Sequence, residues 1–256
     1  MNTKKDIIFE VTENKKLSDN LCLLKVRPML GQTVGEIFPG QFVNILVEGR
    51  DIFLRRPISI CNYDHLKNEI WLLVKTQGKG SGRLYNSEIS EELRILYPLG
   101  KGFTLPHPSN RVLLIGGGVG MAPLFFLGKW LKLLEIEFSF LIGGRSEEDI
   151  VMLDELRSIG DVNITTEDGS IGETGLVVHH SIYQQDWDRF YVCGPLPMMK
   201  AIASDAAKRN IWCEVSLENH MACGLGACLC CVEDTQEGNL CVCKEGPVFN
   251  IQRLKW

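Results

Sequence analysis

Six of the ten cysteines in this 256-residue chain lie in one short segment near the C-terminus, CGLGACLCCVEDTQEGNLCVC. Four of them follow the order Cys223-x4-Cys228-x2-Cys231, with Cys243 after eleven further residues. This spacing is typical of thiolates that hold a 2Fe–2S cluster. The two glycines that precede the second ligand let the loop wrap closely and turn N–H groups toward the sulfurs. The segment therefore predicts a 2Fe–2S site with these four cysteines as ligands.

A zinc site is the main alternative for the same segment. Cys228-x2-Cys231 and Cys241-x-Cys243 also provide four thiolates at zinc-like spacing. A structural zinc site would leave Cys223 and its glycine loop without a role, which favours the cluster.

Two cysteines exceed the four-ligand set. We interpret Cys230 and Cys241 as small apolar side chains packed near the cluster. Because each is within two residues of an assigned ligand, ligand exchange with either stays open.

Composition indicates a cytosolic globular protein. The N-terminus, MNTKKDIIFEVTENKK, lacks the apolar run of a secretory signal, and the longest uncharged stretch, Val112–Gly128, is too short and glycine-rich to cross a membrane. In the reducing cytosol clustered cysteines serve metal or redox chemistry more often than disulfides, which are the least favoured explanation here. A net charge of −5 argues against a nucleic-acid binder.

Two patterns of periodicity divide the chain. Over residues 1–105, short apolar or alternating runs such as LCLLKVRP, GQFVNILVEG and EIWLLVKTQG predict a small barrel or sandwich. From Arg111 strands alternate with helices, which predicts a doubly wound parallel sheet covered on both faces. In that half SEEDIVMLDELRSIG predicts one helix opened by Ser146, and Pro197–Arg209 another helix.

A glycine turn joins the first strand of the second half to its helix. In GGGVGMAP (Gly116–Pro123) glycines allow close approach to a phosphate, and the helix N-terminus offers N–H groups. The plain alternative is a tight connection that binds nothing. The next strand ends in Arg145 rather than in the acidic residue of the usual dinucleotide fingerprint. The later sequence YVCGPLPMM places Cys193, Gly194 and Pro195 at a strand end where ligands bind, although a lone cysteine is more often a buried apolar residue.

Two arginines precede a strand in FLRRPISICNY. Arg55 and Arg56 could be solvated surface charges, but adjacent strand side chains point to opposite faces, so at most one shares the face of Ile58. Downstream, KTQGKGSGRLYN surrounds Ser81 with glycines before a helical turn. An arginine fork with glycine-flanked N–H groups is suited to a pyrophosphate.

These motifs together resemble those of the ferredoxin reductase superfamily. Arg56-Pro57-Ile58-Ser59 is similar to the R-x-[YF]-[ST] flavin motif, with Ile in place of the aromatic residue that stacks on the flavin. The resemblance implies an N-terminal antiparallel β-barrel in which Arg56 holds the FAD pyrophosphate, Ser59 lies near the isoalloxazine edge, and Gly80 and Ser81 cap the phosphates. It also implies a second, NAD-binding domain. The implied cofactor-binding residues are Arg56, Pro57, Ile58, Ser59, Val74, Lys75, Gly80, Ser81, Gly118, Gly120, Met121, Pro123, Cys193, Gly194 and Pro195.

The whole chain further resembles the electron-transfer subunits of dihydroorotate dehydrogenase B. PGQFVNI, RRPISI, GKGS, GGGVGMAPL, EDGSIGETG, CGPLPMMKAI and the C-terminal ENHMACGLGACLCC and CKEGPVF fall in that family's order, although Gly is usual where Cys230 stands. The resemblance implies domains at 1–105 for FAD, 106–217 for NAD and 218–256 for the cluster. It implies electron transfer in pyrimidine biosynthesis between NAD and an FMN-containing catalytic subunit, in a heterotetramer with two of each. Two alternatives remain: the same module serving another partner, such as a ferredoxin–NADP reductase, a hydrogenase or a glutamate-synthase-like enzyme, and a regulatory metal-binding module without redox turnover.

Overall fold

The computed structural model describes residues 3–256, which form two compact units, each built from several stretches of chain. The barrel unit contains the chain up to Gly102, Glu218–Glu233 and Asn239–Pro247. The sheet unit contains Phe103–Leu217, Asp234–Gly238 and Val248–Trp256.

Within the described part of the barrel unit, six antiparallel strands close a barrel in the order β1-β2-β5-β4-β3-β6. The strands are β1 (Lys5–Ser18), β2 (Leu21–Pro28), β3 (Phe42–Leu46), β4 (Arg56–Asp64), β5 (Glu69–Lys75) and β6 (Glu92–Leu99). The helix α1 (Lys79–Tyr85) connects β5 to β6. The predicted barrel is therefore confirmed.

The sheet unit is a predominantly parallel α/β structure, as predicted. Its strands and helices, in chain order, are β7 (Val112–Gly117), α2 (Met121–Leu133), β8 (Phe138–Gly144), α3 (Leu153–Arg157), β9 (Asp161–Thr166), β10 (Glu173–Thr174), β11 (Arg189–Cys193), α4 (Leu196–Lys208) and β12 (Trp212–Ser216). The C-terminal stretch adds a hairpin of β13 (Val232–Thr235) and β14 (Gly238–Cys241) and the short helix α5 (Val242–Glu245), which belongs to the barrel unit. The last strand, β15 (Val248–Asn250), belongs to the sheet unit and pairs antiparallel to β12.

The strand order reverses between β7 and β11. In the described chain the sheet runs β10-β9-β8-β7-β11-β12-β15. The chain therefore proceeds from β7 to β9 on one side and continues with β11 and β12 on the other. Ligands of such sheets bind beyond the carboxyl ends of the strands at this switch point. The glycine turn follows β7 and the Cys-Gly-Pro sequence follows β11, so both lie at that position.

One predicted helix is wrong. The run SEEDIVMLDELRSIG forms a 3₁₀ turn at Glu147–Asp149 and then the separate short helix α3. Met152 lies between them in the left-handed region, with φ of 56°, and so ends the helical path. Ser146 is the N-cap residue of the 3₁₀ turn, but its side chain makes no capping hydrogen bond, and the Glu147 N–H instead donates to Ser170 Oγ at 2.8 Å. Tertiary contacts thus override the local helical pattern.

The other predicted helix, α4, is present within one residue of its expected bounds at each end. Its buried face consists of Met199, Ile202, Ala203 and Ala206. Within residues 3–256 no helix has both the length and the apolar character required to cross a membrane.

Candidate cofactor and metal sites

The flavin-motif residues lie on β4, opposite β3. Val43 and Ile45 of β3 are fully buried and point into the barrel core. Asn44 points to the other face, and it pairs directly with Pro57 of β4. Residues directly opposite in an antiparallel pair share a face, so Pro57 and, two residues later, Ser59 lie on the outer face of the barrel. Both are only half-buried, which leaves this face accessible to a ligand.

Arg55 and Arg56 have different partners. The Arg55 guanidinium makes a bidentate pair with Asp6, with Nη1–Oδ1 and Nη2–Oδ2 distances of 3.1 and 2.9 Å. Arg56 donates instead to main-chain carbonyls, those of Leu54 and Arg55. Among residues 3–256 no carboxylate forms an ion pair with Arg56. Its positive charge is therefore not neutralised, as an anion-binding arginine requires.

The Arg56 side chain lies directly on the N-terminal turn of α1. A Cβ atom at Gly80 would collide with Nε, Cζ and Nη2 of Arg56, so a side chain there would displace the guanidinium from the turn. Ser81 Oγ accepts hydrogen bonds from Gln77 N at 2.8 Å and Gly78 N at 3.2 Å, which shapes the turn. The first-turn N–H groups of a helix have no intrahelical acceptor. The guanidinium and these N–H groups together form a cradle that fits a diphosphate.

The last residues of β5 border the same region. The β4–β5 ladder ends at the pair Ile60–Leu72, whereas β5 continues to Val74 and Lys75. The edge of Val74 and Lys75 that faces β4 is therefore outside the ladder. Just beyond them Thr76 Oγ1 is buried, and it has no hydrogen-bond partner in the described chain. A buried polar group of this kind is usually satisfied by a ligand or water.

The glycine turn has the geometry expected of a phosphate loop. Gly118 begins a 3₁₀ turn with φ of 53°, and α2 starts at Met121 with Pro123 in its first turn. A Cβ at Gly118 would meet nothing within 4 Å, so the backbone is open to a ligand there. At Gly120 a Cβ would collide with the Cys193 carbonyl oxygen.

The Cys-Gly-Pro sequence packs against this turn. Cys193 pairs with Gly116 across the parallel strands β11 and β7. A Cβ at Gly117 would lie 2.8 Å from Pro195 Cδ, and a Cβ at Gly194 would lie 3.0 Å from Gly117 Cα. The Cys193 side chain is only 1% exposed, so its contribution to a ligand site comes from the backbone.

Arg145, which follows β8, pairs with Asp149, and the sequence pattern does not indicate this pairing. Its Nε donates to Asp149 Oδ2 at 3.1 Å, and its backbone N–H donates to the same oxygen at 3.1 Å. Asp149 belongs to the segment predicted as a helix and Arg145 immediately precedes it, and their pair instead closes the 3₁₀ turn.

The four predicted cluster ligands lie in two pairs. The side chain of Cys223 interacts with that of Cys228, and Cys231 interacts with Cys243, whose backbone N–H donates to Cys231 Sγ at 3.4 Å. The second pair is buried, Cys223 is half-buried and Cys228 is exposed. Within residues 3–256 no three His, Cys, Asp or Glu side chains converge on one point as the ligands of a single ion do. Two pairs fit a two-iron cluster, in which each iron takes two thiolates.

Backbone N–H groups surround these sulfurs. Leu225 N donates to Cys223 Sγ at 3.3 Å, and Gly226 N donates to Cys243 Sγ at 3.1 Å. Burial raises the pKa of Cys223, but N–H donors that include Leu225 outweigh it and lower that pKa to about 6. Burial, followed by its contact with Cys231, raises the pKa of Cys243 to about 12. The donor set thus fits an anionic sulfur cluster, whose charge these N–H groups stabilise.

The two surplus cysteines differ from each other. Cys230 is exposed, so its interpretation as an apolar packing residue is wrong. Cys241 is half-buried, and its Sγ donates to Gly226 O at 3.8 Å. Burial, and then the nearby thiol groups of Cys231 and Cys223, raise the pKa of Cys241. Cys241 therefore lies beside the ligand set, whereas Cys230 is exposed.

Comparison with known protein families matches two parts of the chain. The model for the iron-sulfur cluster binding domain of dihydroorotate dehydrogenase B matches residues 218–255. The model for an oxidoreductase NAD-binding domain matches residues 114–204. The first match contains the paired cysteines, and the second contains the glycine turn and the Cys-Gly-Pro sequence.

Solved structures share the fold. A structure of an NADH-dependent reduced ferredoxin-NADP oxidoreductase aligns with a TM-score of 0.86 at 25% identity, over 97% of this chain and 90% of that one. The FAD/NAD binding domain of nitric oxide dioxygenase from Vibrio cholerae aligns with a TM-score of 0.71 at 21% identity, over 81% of this chain and 95% of that one.

Curated relatives extend over most of the chain. An electron transfer subunit of dihydroorotate dehydrogenase B (NAD(+)) from Shouchella clausii is 38% identical over 221 residues, 83% of this chain and 85% of the relative. The subunit of the same name from Listeria innocua is 36% identical over 253 residues, 95% of this chain and 98% of the relative. By this identity and coverage, and by its matching cluster-binding region, the chain belongs to the family of electron transfer subunits of dihydroorotate dehydrogenase B.

Proposed function

We propose that this chain carries electrons between an FMN-containing dihydroorotate dehydrogenase subunit and NAD, through FAD and a 2Fe–2S cluster, in pyrimidine biosynthesis. The observation that carries the proposal is the presence, in one compact barrel unit, of a phosphate cradle at Arg56 and of thiols paired for two irons. The NAD-binding match of the sheet unit and the names of the relatives support it.

Each cofactor would be held by residues of this chain. Arg56 and the N-terminal turn of α1 would bind the FAD diphosphate, with Ser59 on the outer face of the barrel beside it. Cys223, Cys228, Cys231 and Cys243 would hold the cluster. The glycine turn from Gly118 to Pro123, with Cys193–Pro195, would bind NAD. When bound, FAD supplies the conversion between two-electron hydride chemistry and one-electron transfer.

The proposed cluster site has one buried side and one exposed side. Cys231 and Cys243 lie in the protein interior and are shielded from water, whereas Cys228 is exposed. We assign the Cys228 side as the one that a partner subunit approaches. On this proposal the partner carries the FMN, the complex contains two of each subunit, and its place is the cytosol. Residues 1–105, 106–217 and 218–256 are the proposed FAD, NAD and cluster segments.

NADH is the expected nucleotide, because Arg145 is paired with Asp149. Without that partner, Arg145 could bind the 2′-phosphate of NADP. Replacing Asp149 by alanine frees Arg145. We expect kcat/KM for NADPH relative to NADH to rise about tenfold, which corresponds to about 1.4 kcal/mol and is within the range of one charge-assisted hydrogen bond. Steady-state dye reduction with both nucleotides measures it. Asp154→Ala removes the same charge from a neighbouring exposed position, and an equal rise in that control would refute the role of Asp149.

The proposed function is tested by mixing the purified holo-chain with an FMN-containing dihydroorotate dehydrogenase subunit. We expect dihydroorotate-dependent reduction of NAD⁺ only when both are present, and co-elution at a mass that corresponds to two of each. The partner alone should oxidise dihydroorotate with an artificial dye. If both components are active with dyes but together reduce no NAD⁺, the assignment of this partner is wrong.

A further inference from the structure

Asn44 is a polar residue at the centre of the apolar strand β3, and it is fully buried. Its Nδ2 donates a hydrogen bond to the carbonyl oxygen of Ala222 at 3.2 Å, across 178 positions of sequence. Its Oδ1 is also buried and has no hydrogen-bond partner in the part of the chain that the structure describes. Burial of an incompletely satisfied amide is unfavourable, so packing alone does not explain the presence of asparagine here.

The cluster loop lies directly on this amide. Ala222 immediately precedes the first ligand, Cys223. A Cβ at Gly224 would come within 3.0 Å of both Asn44 Nδ2 and Leu99 Cδ1. Gly224 also has φ of 71°, a backbone conformation that is unfavourable for residues other than glycine. The absence of a side chain at Gly224 thus permits the loop to reach the Asn44 amide.

On the strand side Asn44 belongs to the flavin face. It pairs directly with Pro57, and its own carbonyl accepts a hydrogen bond from Arg55 Nη1 at 3.1 Å. The side chain that contacts the cluster loop therefore comes from the strand that pairs with the flavin motif. Its partners on either side, Ala222 and Pro57, are each one residue from a proposed ligand of a different cofactor.

We propose that Asn44 is a positioning residue that seats the cluster loop against the flavin strand and so fixes the spacing between the cluster and the FAD. This inference rests on the cofactors of the proposed function but not on the identity of the partner. The Nδ2–Ala222 hydrogen bond holds the start of the loop. When it is lost, the loop samples positions in which the ligand N–H contacts at Leu225 and Gly226 open.

The test replaces Asn44 by leucine, which has a similar volume but no donor. In the isolated holo-chain we expect hydrogen exchange of the Leu225 and Gly226 amides to accelerate about fivefold or more, the factor that loss of one buried hydrogen bond produces. The EPR spectrum of the dithionite-reduced cluster should broaden, and reduction of the cluster after mixing with NADH should slow several-fold. FAD, iron and sulfide contents should equal those of the unaltered protein.

The matched control is Asn14→Leu. Asn14 is an asparagine of the same barrel, whose Nδ2 donates to the carbonyls of Tyr85 and Ser87 at 3.0 and 2.7 Å and whose Oδ1 is likewise buried without a partner in the described chain. The Asn14→Leu variant should leave the EPR spectrum and the hydrogen exchange of the Leu225 and Gly226 amides unchanged. Equal effects of both variants would overturn the proposal, since they would show only a loss of barrel stability.

A second variant serves if Asn44→Leu fails to fold. Asn44→Asp keeps the shape, but when ionised it can only accept, so it opposes the Ala222 carbonyl and should show the same changes. Unaltered exchange and an unaltered EPR spectrum in a folded Asn44 variant would overturn the positioning role. Because the experiments use only the isolated chain, failure to couple to a dihydroorotate-oxidising partner would leave them unaffected.

Discussion

Replacement of Cys228 by serine is expected to abolish the visible and EPR spectra of the cluster and the delivery of single electrons, while FAD stays bound. A serine hydroxyl remains protonated where a thiolate is required, and Cys228 is the exposed member of its ligand pair, where a loosened iron is open to solvent. The proposed FAD cradle at Arg56 and Gly80 uses no atom of this loop. Iron, acid-labile sulfide and FAD contents measure the two outcomes separately.

The chain provides matched controls for this assignment. Cys230, two residues further on, is also exposed, and Cys230→Ser should retain a full cluster. Variants of Cys223 and Cys241 distinguish the 2Fe–2S cluster from the zinc alternative, because the zinc site would use Cys241 in place of Cys223. We expect Cys223→Ser to lose the cluster and Cys241→Ser to keep it. The reverse pattern, or a full cluster in Cys228→Ser, would contradict the ligand set.

Replacement of Arg56 by alanine should weaken FAD binding about a hundredfold. The guanidinium has no carboxylate partner in the described chain and lies on the N-terminal turn of α1, so a diphosphate would receive its charge-assisted hydrogen bonds. Two such bonds contribute roughly 3 kcal/mol, and each 1.4 kcal/mol changes a dissociation constant about tenfold. Fluorescence titration of the flavin-free protein with FAD measures the constant.

Arg55→Ala is the matched control, because it removes an adjacent arginine that is already paired with Asp6. Its loss should lower thermal stability but change the FAD dissociation constant only a few-fold. Arg56→Lys, which keeps the charge but not the fork, should give an intermediate affinity. If Arg55→Ala and Arg56→Ala weaken FAD binding equally, the arginine acts through the stability of the barrel and not through the phosphate.

The two kinds of domain were predictable from sequence because each has a clear hydrophobic period. The runs that became β2, β3 and β5 are apolar or alternating, and β7, β8 and β11 are buried strands flanked by helices. By contrast β1, KDIIFEVTENKKLS, contains many charges, and its pairing with β2 is interrupted by register shifts. Its place in the barrel depends on pairing with β2 and β6 rather than on its own pattern.

Contacts that form only in the folded chain explain what the sequence did not reveal. The four proposed cluster ligands could be predicted because their spacing is local. Asn44 could have been noticed as the polar residue within GQFVNILVEG, but its partner, Ala222, is 178 positions away. The Arg145–Asp149 pair is local, yet the helical pattern of its segment concealed the turn that it closes. Hydrogen bonds and ion pairs of this kind depend on the folded backbone.

The barrel unit is discontinuous in sequence, since it takes its last pieces, Glu218–Glu233 and Asn239–Pro247, from beyond the sheet unit. A ribosome makes the chain from the N-terminus, and domains fold as they emerge. The strand that carries Arg56 and the helix that carries Gly80 are therefore synthesised more than a hundred residues before the first proposed cluster cysteine. Until Ala222 emerges, Asn44 lacks the loop that covers it. The order of synthesis thus makes the residues of the proposed flavin cradle available before the proposed cluster ligands.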